Sequence, residues 1–326
     1  METEPLVAVL IRTYNGAKYI KEQIDSILNQ KGVKVKIFIR DDISSDSTID
    51  IVNSYNDPRI CILKSTENLG VGLSFLTLLS IVTKQEPDIE YFAYSDQDDI
   101  WLEDKLQVAV SKISNCYCPT IYGSNYNLYF NGQKNELKFK EDFYPLDIFD
   151  VINHNEISGC TMVFNRKLAC IVSKINFPTR ILDCKFHDSW TLIIGMAKGI
   201  FVYDKNSYIL HRIHDKNVYG LHEPPLTKKA ISILKFGFKN FLKPNFVSKF
   251  QKRLDQIGIG YISHTSNYFL QSVPDYSGAD LERIKLTANY RNSLKDKIKL
   301  LSNARNCKRK EESILFFKIK VLLNLI

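Results

Sequence analysis

Asp96, Gln97 and Asp98 follow the run Tyr91-Phe92-Ala93-Tyr94-Ser95, so two carboxylates emerge together where an apolar strand ends. Carboxylates two apart on an extended chain point to one side, and a hard dication such as Mg²⁺ is commonly held by one or two carboxylates plus the oxygens of a substrate's phosphates. Asp99 follows, and Ile100 to Leu106 reads as the start of a helix. The plainer alternative is therefore an acidic helix N-terminus, favourable with the helix dipole. A second carboxylate of interest is Asp188. In Phe186-His187-Asp188-Ser189-Trp190 the His-Asp pair stands at the mouth of an apolar helix, where a carboxylate either caps the helix or is aimed into a cleft.

The elements that must position these groups begin with Leu6 to Ile11, a continuous apolar run expected for a parallel strand buried on both faces. It breaks at Arg12-Thr13-Tyr14-Asn15-Gly16. Ile20, Ile24, Ile27 and Leu28 then fall on one helix face, and a second strand, Val35 to Arg40, ends in Asp41-Asp42. This is a βαβ unit. Ser44, Ser45 and Asp46 offer caps to a helix through Ile51 and Val52, and Ile60 to Leu63 reads as a third strand. Polar residues thus cluster after each strand. Ligands of open α/β sheets sit outside the carboxyl ends of the strands, so Thr13, Asp42 and Asp96 to Asp98 are expected to converge on one site. Glu67-Asn68-Leu69-Gly70-Val71-Gly72 leads into a helix with Phe75, Leu78, Leu79 and Val82 on one side. Either its N-terminus attracts phosphate, with Asn68 and Gly70 as donor-site contacts, or it is an ordinary loop into a core helix. Ile157 to Phe164 reads as a strand with Gly159-Cys160 near its start.

Together these residues resemble the family-2 glycosyltransferases, inverting enzymes of the glycosyltransferase A fold that take sugars from nucleotide diphosphates. The resemblance rests on Val9-Leu10-Ile11-Arg12-Thr13-Tyr14-Asn15, on Asp41-Asp42-Ile43-Ser44-Ser45-Asp46-Ser47-Thr48 and on Asp96-Gln97-Asp98, and it covers roughly residues 5 to 220. Ile43 stands where the family has Gly, which matters only if that position needs a positive φ. The resemblance implies a Rossmann-like, mostly parallel α/β sheet with flanking helices. It also implies that Asp42 accepts a hydrogen bond from the ring N–H of uracil or thymine, with Thr13 and Tyr14 lining the base pocket. Asp96 would lie by the ribose or diphosphate, and Asp98 would bind Mg²⁺ or Mn²⁺. Inverting transfer needs a base for the acceptor hydroxyl, and Asp188 is the candidate; helix capping is its alternative. No acid is required opposite it, because a metal-bound diphosphate leaves unprotonated. His187 and Trp190 are candidate acceptor contacts, Trp190 by stacking on a sugar or else by packing in the core. Tyr208 to Val218 resembles the family's Tyr-Arg-x-His-x-x-Asn stretch, shifted so that Leu210-His211 stands where a Tyr is usual. That makes His214 a diphosphate or metal contact and Arg212 a cation beside the leaving group, and it points toward the rhamnosyltransferase-like branch.

The charge is uneven. The chain has 326 residues and a formal net charge of +8, but from Thr227 onward Lys and Arg number 20 against 7 Asp and Glu, which leaves residues 1–226 net acidic. We therefore expect a glycosyltransferase domain over 1–226 and a basic, mainly helical appendage over 227–326. Ile231 to Leu242 and Ile314 to Leu323 interleave large apolar residues with lysines, each too short to span a bilayer. Both suit an anionic membrane surface beneath a lipid-linked glycan acceptor; alternatively they pack on the catalytic domain. Seven Cys without paired metal spacing suggest reduced thiols in the cytosol, and the acidic N-terminus is unlike a signal peptide. The expectation is a cytoplasmic enzyme, peripheral on the inner face of the membrane. It would use dTDP-rhamnose or a UDP-hexose to extend a bacterial surface polysaccharide such as O-antigen or capsule. A catalytically inactive sugar-binding relative is the alternative. A nucleic-acid-binding protein fits less well, since no RNP-like or zinc-finger pattern accompanies the basic third.

Overall fold

The computed structural model describes residues 4–130, 133–135, 146–155, 157–177, 187–214, 260–309 and 312–326. The chain divides into two compact units, one of Met1–Val151 with Asn155–Ile213, the other of Ile152–His154 with His214–Ile326. The apolar stretch at 231–242 and the boundary at 226/227 lie outside the described residues.

The first unit opens with β1 (Leu6–Thr13), α1 (Ile20–Leu28), β2 (Lys34–Asp41), α2 (Thr48–Asn53), β3 (Ile60–Leu63), α3 (Gly70–Gln85) and β4 (Tyr91–Ser95). The four strands run parallel in the order β3-β2-β1-β4. β1 is apolar without alternation because helices cover both faces of the sheet. Val7, Val9 and Ile11 join Ile20, Ile24 and Ile27 of α1 in one core layer, while Phe75, Leu78, Leu79 and Val82 of α3 are buried as well. Each such aliphatic side chain contributes roughly 1.5–3 kcal/mol on burial.

There follow β5 (Ile100–Trp101), α4 (Lys105–Ile113), β6 (Thr120–Phe130), β7 (Gln133–Asn135), α5 (Ile148–Asn153), a 3₁₀ turn (Gly159–Thr161), β8 (Val163–Asn165), α6 (Arg166–Val172), α7 (His187–Lys198) and β9 (Ile200–Arg212). β8 joins β4 and β6 antiparallel, whereas β6 and β9 are parallel, so the sheet as a whole is mixed. Two local expectations are corrected. Ile100 and Trp101 do not start a helix but form a short strand against Leu210 and Ile209, and the helix begins only at Lys105. Ladder bonding to β9 overrides the local helical pattern there. Ile157 to Phe164 is not one strand, since Gly159–Thr161 turns before Val163 enters the sheet.

The second unit is helical among its described residues: α8 (Tyr261–Ser272), α9 (Leu281–Asn289), α10 (Leu294–Ser302), α11 (Ala304–Cys307) and α12 (Ile314–Leu322). Ser293 and Ser313 cap α10 and α12 by accepting from Asp296 N and Phe316 N. The Tyr290 hydroxyl donates to the Ile326 carbonyl at 2.9 Å, tying the chain end to α9. No described helix is long and apolar enough to cross a membrane.

Candidate functional site

Three loops meet at the carboxyl ends of β1, β2 and β4, and the side chains of two of them complete the backbone of the third. Ser44 Oγ accepts from Asn15 N at 2.8 Å, Thr48 Oγ1 from Gly16 N at 2.8 Å and Asp46 Oδ2 from Ala17 N at 3.1 Å. Asn15 Oδ1 accepts from Ser45 N at 2.8 Å in return. From the β4 loop, Gln97 Oε1 accepts from Tyr14 N at 2.9 Å, and its amide nitrogen donates to Tyr14 O at 3.2 Å. At Gly16 the Gln97 amide occupies the space a Cβ would take, so a larger residue there would displace Gln97 from the Tyr14 backbone. Much of the Asp-Asp-x-Ser-x-Asp-x-Thr spacing thus builds the site by satisfying loop N–H groups.

Thr13 is buried, and its hydroxyl donates to Asp41 Oδ1 at 2.7 Å. Tyr14 lies 42% exposed at the rim. Asp42 is fully buried with a full set of partners. Arg12 Nε donates to Oδ2 at 2.8 Å, Arg40 Nη1 donates to Oδ1, and the Ser74 hydroxyl lies 2.6 and 2.7 Å from the two oxygens. Arg40 is itself enclosed, donating also to Glu67 O at 3.1 Å. A carboxylate offers about four lone-pair sites, and here the protein fills them. Arg12, by contrast, keeps both terminal nitrogens without a hydrogen-bond partner among the described residues, with Tyr14's ring 5.3 Å from the guanidinium carbon. Asn68 Oδ1 accepts from Gly70 N at 2.9 Å, and Gly70 takes φ +72° at the start of α3.

At the β4 end, four carboxylates influence one another. Burial first, then the charges of Asp99 and Asp98, push the Asp96 carboxyl up to about 8; Asp188 adds to this and His211 opposes it. Asp98 is nearly buried, and its carbonyl accepts from Arg212 Nε at 2.9 Å. Arg212 also pairs with Glu22 and lies over the rings of Tyr19 and Tyr129, so the end of β9 is clamped to the β4 loop. Asp99 is buried rather than capping a helix. Its Oδ1 accepts from Arg212 N at 3.1 Å and lies 2.8 Å from His211 Nδ1, while its Oδ2 has no hydrogen-bond partner. Burial works against charge on His211, yet Asp99 and Cys160 outweigh it and hold the imidazole's pKa well above its usual range. Beneath them Lys105 is buried, its ammonium 3.6 Å from the centre of the Trp101 ring and without a hydrogen-bond partner; burial lowers it to about 7.

Asp188, the second residue of α7, accepts from Ser189 N at 2.6 Å. A Cβ on Gly159 would lie 3.0 Å from Asp188 Cβ, so that glycine leaves room for the carboxylate. Two neighbouring expectations are corrected by burial. His187 is 4% exposed, stacked on Phe75 at 4.0 Å and edge-on to Tyr94, with its pKa lowered to about 3 by burial; it is a neutral core residue, not an acceptor contact. Trp190 is fully buried against Phe177 and has no face free for a sugar. α7 turns both inward because its apolar residues fill the layer beside α3. His214 is half-buried and belongs to the second unit. Arg12, Gln97, Asp99 and His211 escaped the sequence reading. The usable signals were a charge closing an apolar strand, the third carboxylate of Asp-x-Asp-Asp and the displaced His211.

The donor set fits a divalent cation: the carboxyl groups of Asp96, Asp98 and Asp99 crowd the β4 end, and Asp99 Oδ2 is a buried oxygen without a donor. With this geometry in place, similarity to known proteins is informative. The profile of Glycosyl transferase family 2 matches residues 8–171. The dTDP-rhamnosyl transferase RfbG of Shigella flexneri is 33% identical over 218 residues, 64% of this chain and 73% of that protein. The Escherichia coli UDP-Glc:alpha-D-GlcNAc-diphosphoundecaprenol beta-1,3-glucosyltransferase WfaP is 26% identical over 243 residues, 72% of this chain and 88% of that protein. The crystal structure of S. aureus TarS 1-349 in complex with UDP-GlcNAc superposes with a TM-score of 0.55 at 16% identity, covering 98% of this chain and 88% of that one, and this likeness concerns the fold.

Proposed function

The chain belongs to glycosyl transferase family 2, and from this we propose that it moves a sugar from a nucleoside-diphosphate donor to a hydroxyl of a lipid-linked glycan, with inversion at the anomeric carbon. The observation that carries the reading is the convergence of the β1, β2 and β4 loops, with Asp96, Asp98 and Asp188, on one end of the parallel strands. The likeness to RfbG favours dTDP-rhamnose as donor over a UDP-hexose, and the likeness to WfaP favours an acceptor carried on a lipid diphosphate in surface polysaccharide synthesis.

In this reading Thr13, Tyr14 and Asp42 frame the base pocket, Asp42 acting through the Arg12 it holds. Asn68 and Gly70 present the start of α3 to the phosphates. Asp96 faces the ribose or diphosphate, and Arg212 lies toward the leaving group. Asp98 would hold Mg²⁺ or Mn²⁺, which when bound offsets the charge of the departing diphosphate. Asp188 takes the proton of the acceptor hydroxyl as the hydroxyl oxygen bonds to the anomeric carbon; the bond from that carbon to the diphosphate breaks, and its electron pair leaves on the diphosphate oxygen. The second unit would rest on anionic lipid at the cytoplasmic face, beside the acceptor.

The test is transfer by the full chain from a panel of nucleotide-sugars to a lipid-linked acceptor, followed by nucleotide release and by the anomeric configuration of the product. Acceptor-dependent release from dTDP-rhamnose or a UDP-hexose is expected, abolished by EDTA and by Asp98→Ala. Transfer that survives both treatments would remove the metal, and an unchanged anomeric configuration would remove inversion.

A further inference from the structure

We propose that Asp96, Asp99, Cys160 and His211 form a site for a thiophilic transition-metal ion of the Zn²⁺ type, lying behind the hard-cation position at Asp98 and serving to fix the β4 loop. The four residues come from three separate places: the β4 loop, the 3₁₀ turn before β8, and the carboxyl end of strand β9. Each offers one ligand atom, and these atoms all lie within 4.8 Å of one another. A tetrahedral site with bonds of about 2.0–2.3 Å sets its donors roughly 3.3–3.8 Å apart, so closure around an ion asks for shifts of about an ångström.

The donor chemistry separates this site from the one proposed at Asp98. Mg²⁺ takes oxygens, whereas a thiolate and an imidazole beside two carboxylates suit Zn²⁺ or its spectroscopic stand-in Co²⁺. Two further observations point to a ligand. Asp99 is fully buried, yet its Oδ2 has no hydrogen-bond donor, and His211 Nδ1, though 2.8 Å from Asp99 Oδ1, is not aligned for a hydrogen bond. Buried polar atoms ordinarily find partners. Charge also closes: a dication with two carboxylates, one thiolate and a neutral imidazole is left with one negative charge, and the buried Lys105 amine, over the Trp101 ring and without a hydrogen-bond partner, lies where Asp99 and Cys160 both act on it. Asp96 and His211 keep some exposed surface and provide the way in, while Asp99 and Cys160 close the inner side. A bound ion would tie β9 to the β4 loop independently of Arg212, holding one oxygen of Asp96 and leaving its other oxygen for the crevice. This inference stands whether or not the crevice takes a nucleotide-sugar.

The experiment uses the full chain, stripped with a chelator and titrated with Co²⁺ alone. The expected result is one thiolate-bound Co²⁺ per chain, with intense near-ultraviolet thiolate-to-metal charge transfer and the visible bands of tetrahedral coordination, displaced by Zn²⁺; Co²⁺ held through Asp98 adds no such band. Cys160→Ser removes the charge-transfer band, and His211→Gln weakens binding at least tenfold, with each variant's melting curve reporting its fold. Asp98→Asn keeps the spectrum, which separates this ion from one bound through Asp98. Co²⁺ that binds without a thiolate band, a band that persists in Cys160→Ser, or a band lost in Asp98→Asn would each overturn the proposal, as would a stripped chain that takes up no Co²⁺.

Discussion

Asp188 and Asp96 are carboxylates of one neighbourhood on which the proposed chemistry makes opposite demands. As the proposed base Asp188 would hold a proton only during transfer, so Asp188→Asn, matched in size but unable to accept one, is expected to leave nucleotide-sugar affinity and fold intact. Turnover should fall by about 10²–10⁴. Near-normal turnover would return Asp188 to helix capping, a role its bond to Ser189 N would then explain. Asp96 is held at about 8, above the ordinary carboxylate range, first by burial and then by Asp99 and Asp98. Below about pH 4 it is protonated in both folded and unfolded chains and has no effect on stability. As pH rises toward 8 the unfolded chain releases that proton and the folded chain keeps it, so this group erodes stability progressively across that window. Metal-free Asp96→Asn is therefore expected to melt together with the parent near pH 4 and above it at pH 8, with Mg²⁺ or Mn²⁺ narrowing the gap. Melting curves offset equally at both pH values would show that Asp96 is not the group responsible.

At the scale of the elements, the loops are built by specific side chains, and one of them carries a misfit. Ile43, in the loop after β2, has φ +62° and is 51% exposed. A β-branched residue in the left-handed region costs roughly 1–2 kcal/mol, and little burial offsets it. Ile43→Gly is expected to stabilise the chain by about 1 kcal/mol, raising the melting temperature by about 2 °C with transfer unchanged. A variant that melts lower would mean that Ile43 makes a contact worth more than its strain. The same loops show what a sequence can disclose. β1 to β4 and their helices were legible because buried parallel strands are continuous apolar runs and helices repeat at 3.6 residues. β5 was not, since two residues become a strand only when β9 lies alongside. The carboxylates at the strand ends were legible as a group by topology. Their partners were not: that Asp42 is enclosed by Arg12, Arg40 and Ser74 depends on side-chain packing with residues 30 before and 32 after it in sequence. His187 and Trp190 misled because a helix mouth has two sides, and only packing decides which side faces the cleft.

At the scale of the whole molecule, charge and apolar surface are gathered in the same third of the chain. Lys and Arg exceed Asp and Glu by 20 to 7 from Thr227 onward. In the second unit Phe317 and Val321 bury one side of α12, while Leu315, Ile319, Leu322 and Leu323 are exposed on the other, with Lys318 among them. On α10, Leu294 and Ile298 are exposed between Lys295, Lys297 and Lys299. Apolar residues that enter the headgroup boundary and lysines that meet anionic lipid reinforce each other, each Lys or Arg near such a surface adding roughly 1 kcal/mol within a Debye length of about 8 Å at physiological salt. The full chain is therefore expected to sediment with vesicles containing phosphatidylserine and not with purely zwitterionic ones, and to be released in part as salt rises. Leu315→Glu with Leu322→Glu should lower the bound fraction at every salt concentration without altering transfer to a soluble acceptor, since these side chains face solvent far along the sequence from the carboxylates of β4. Salt release and the apolar substitutions test separate contributions. Binding abolished by salt alone and untouched by the substitutions would make the contact purely electrostatic. A full chain that ignores anionic vesicles at low salt would leave these helices as a surface for something other than lipid.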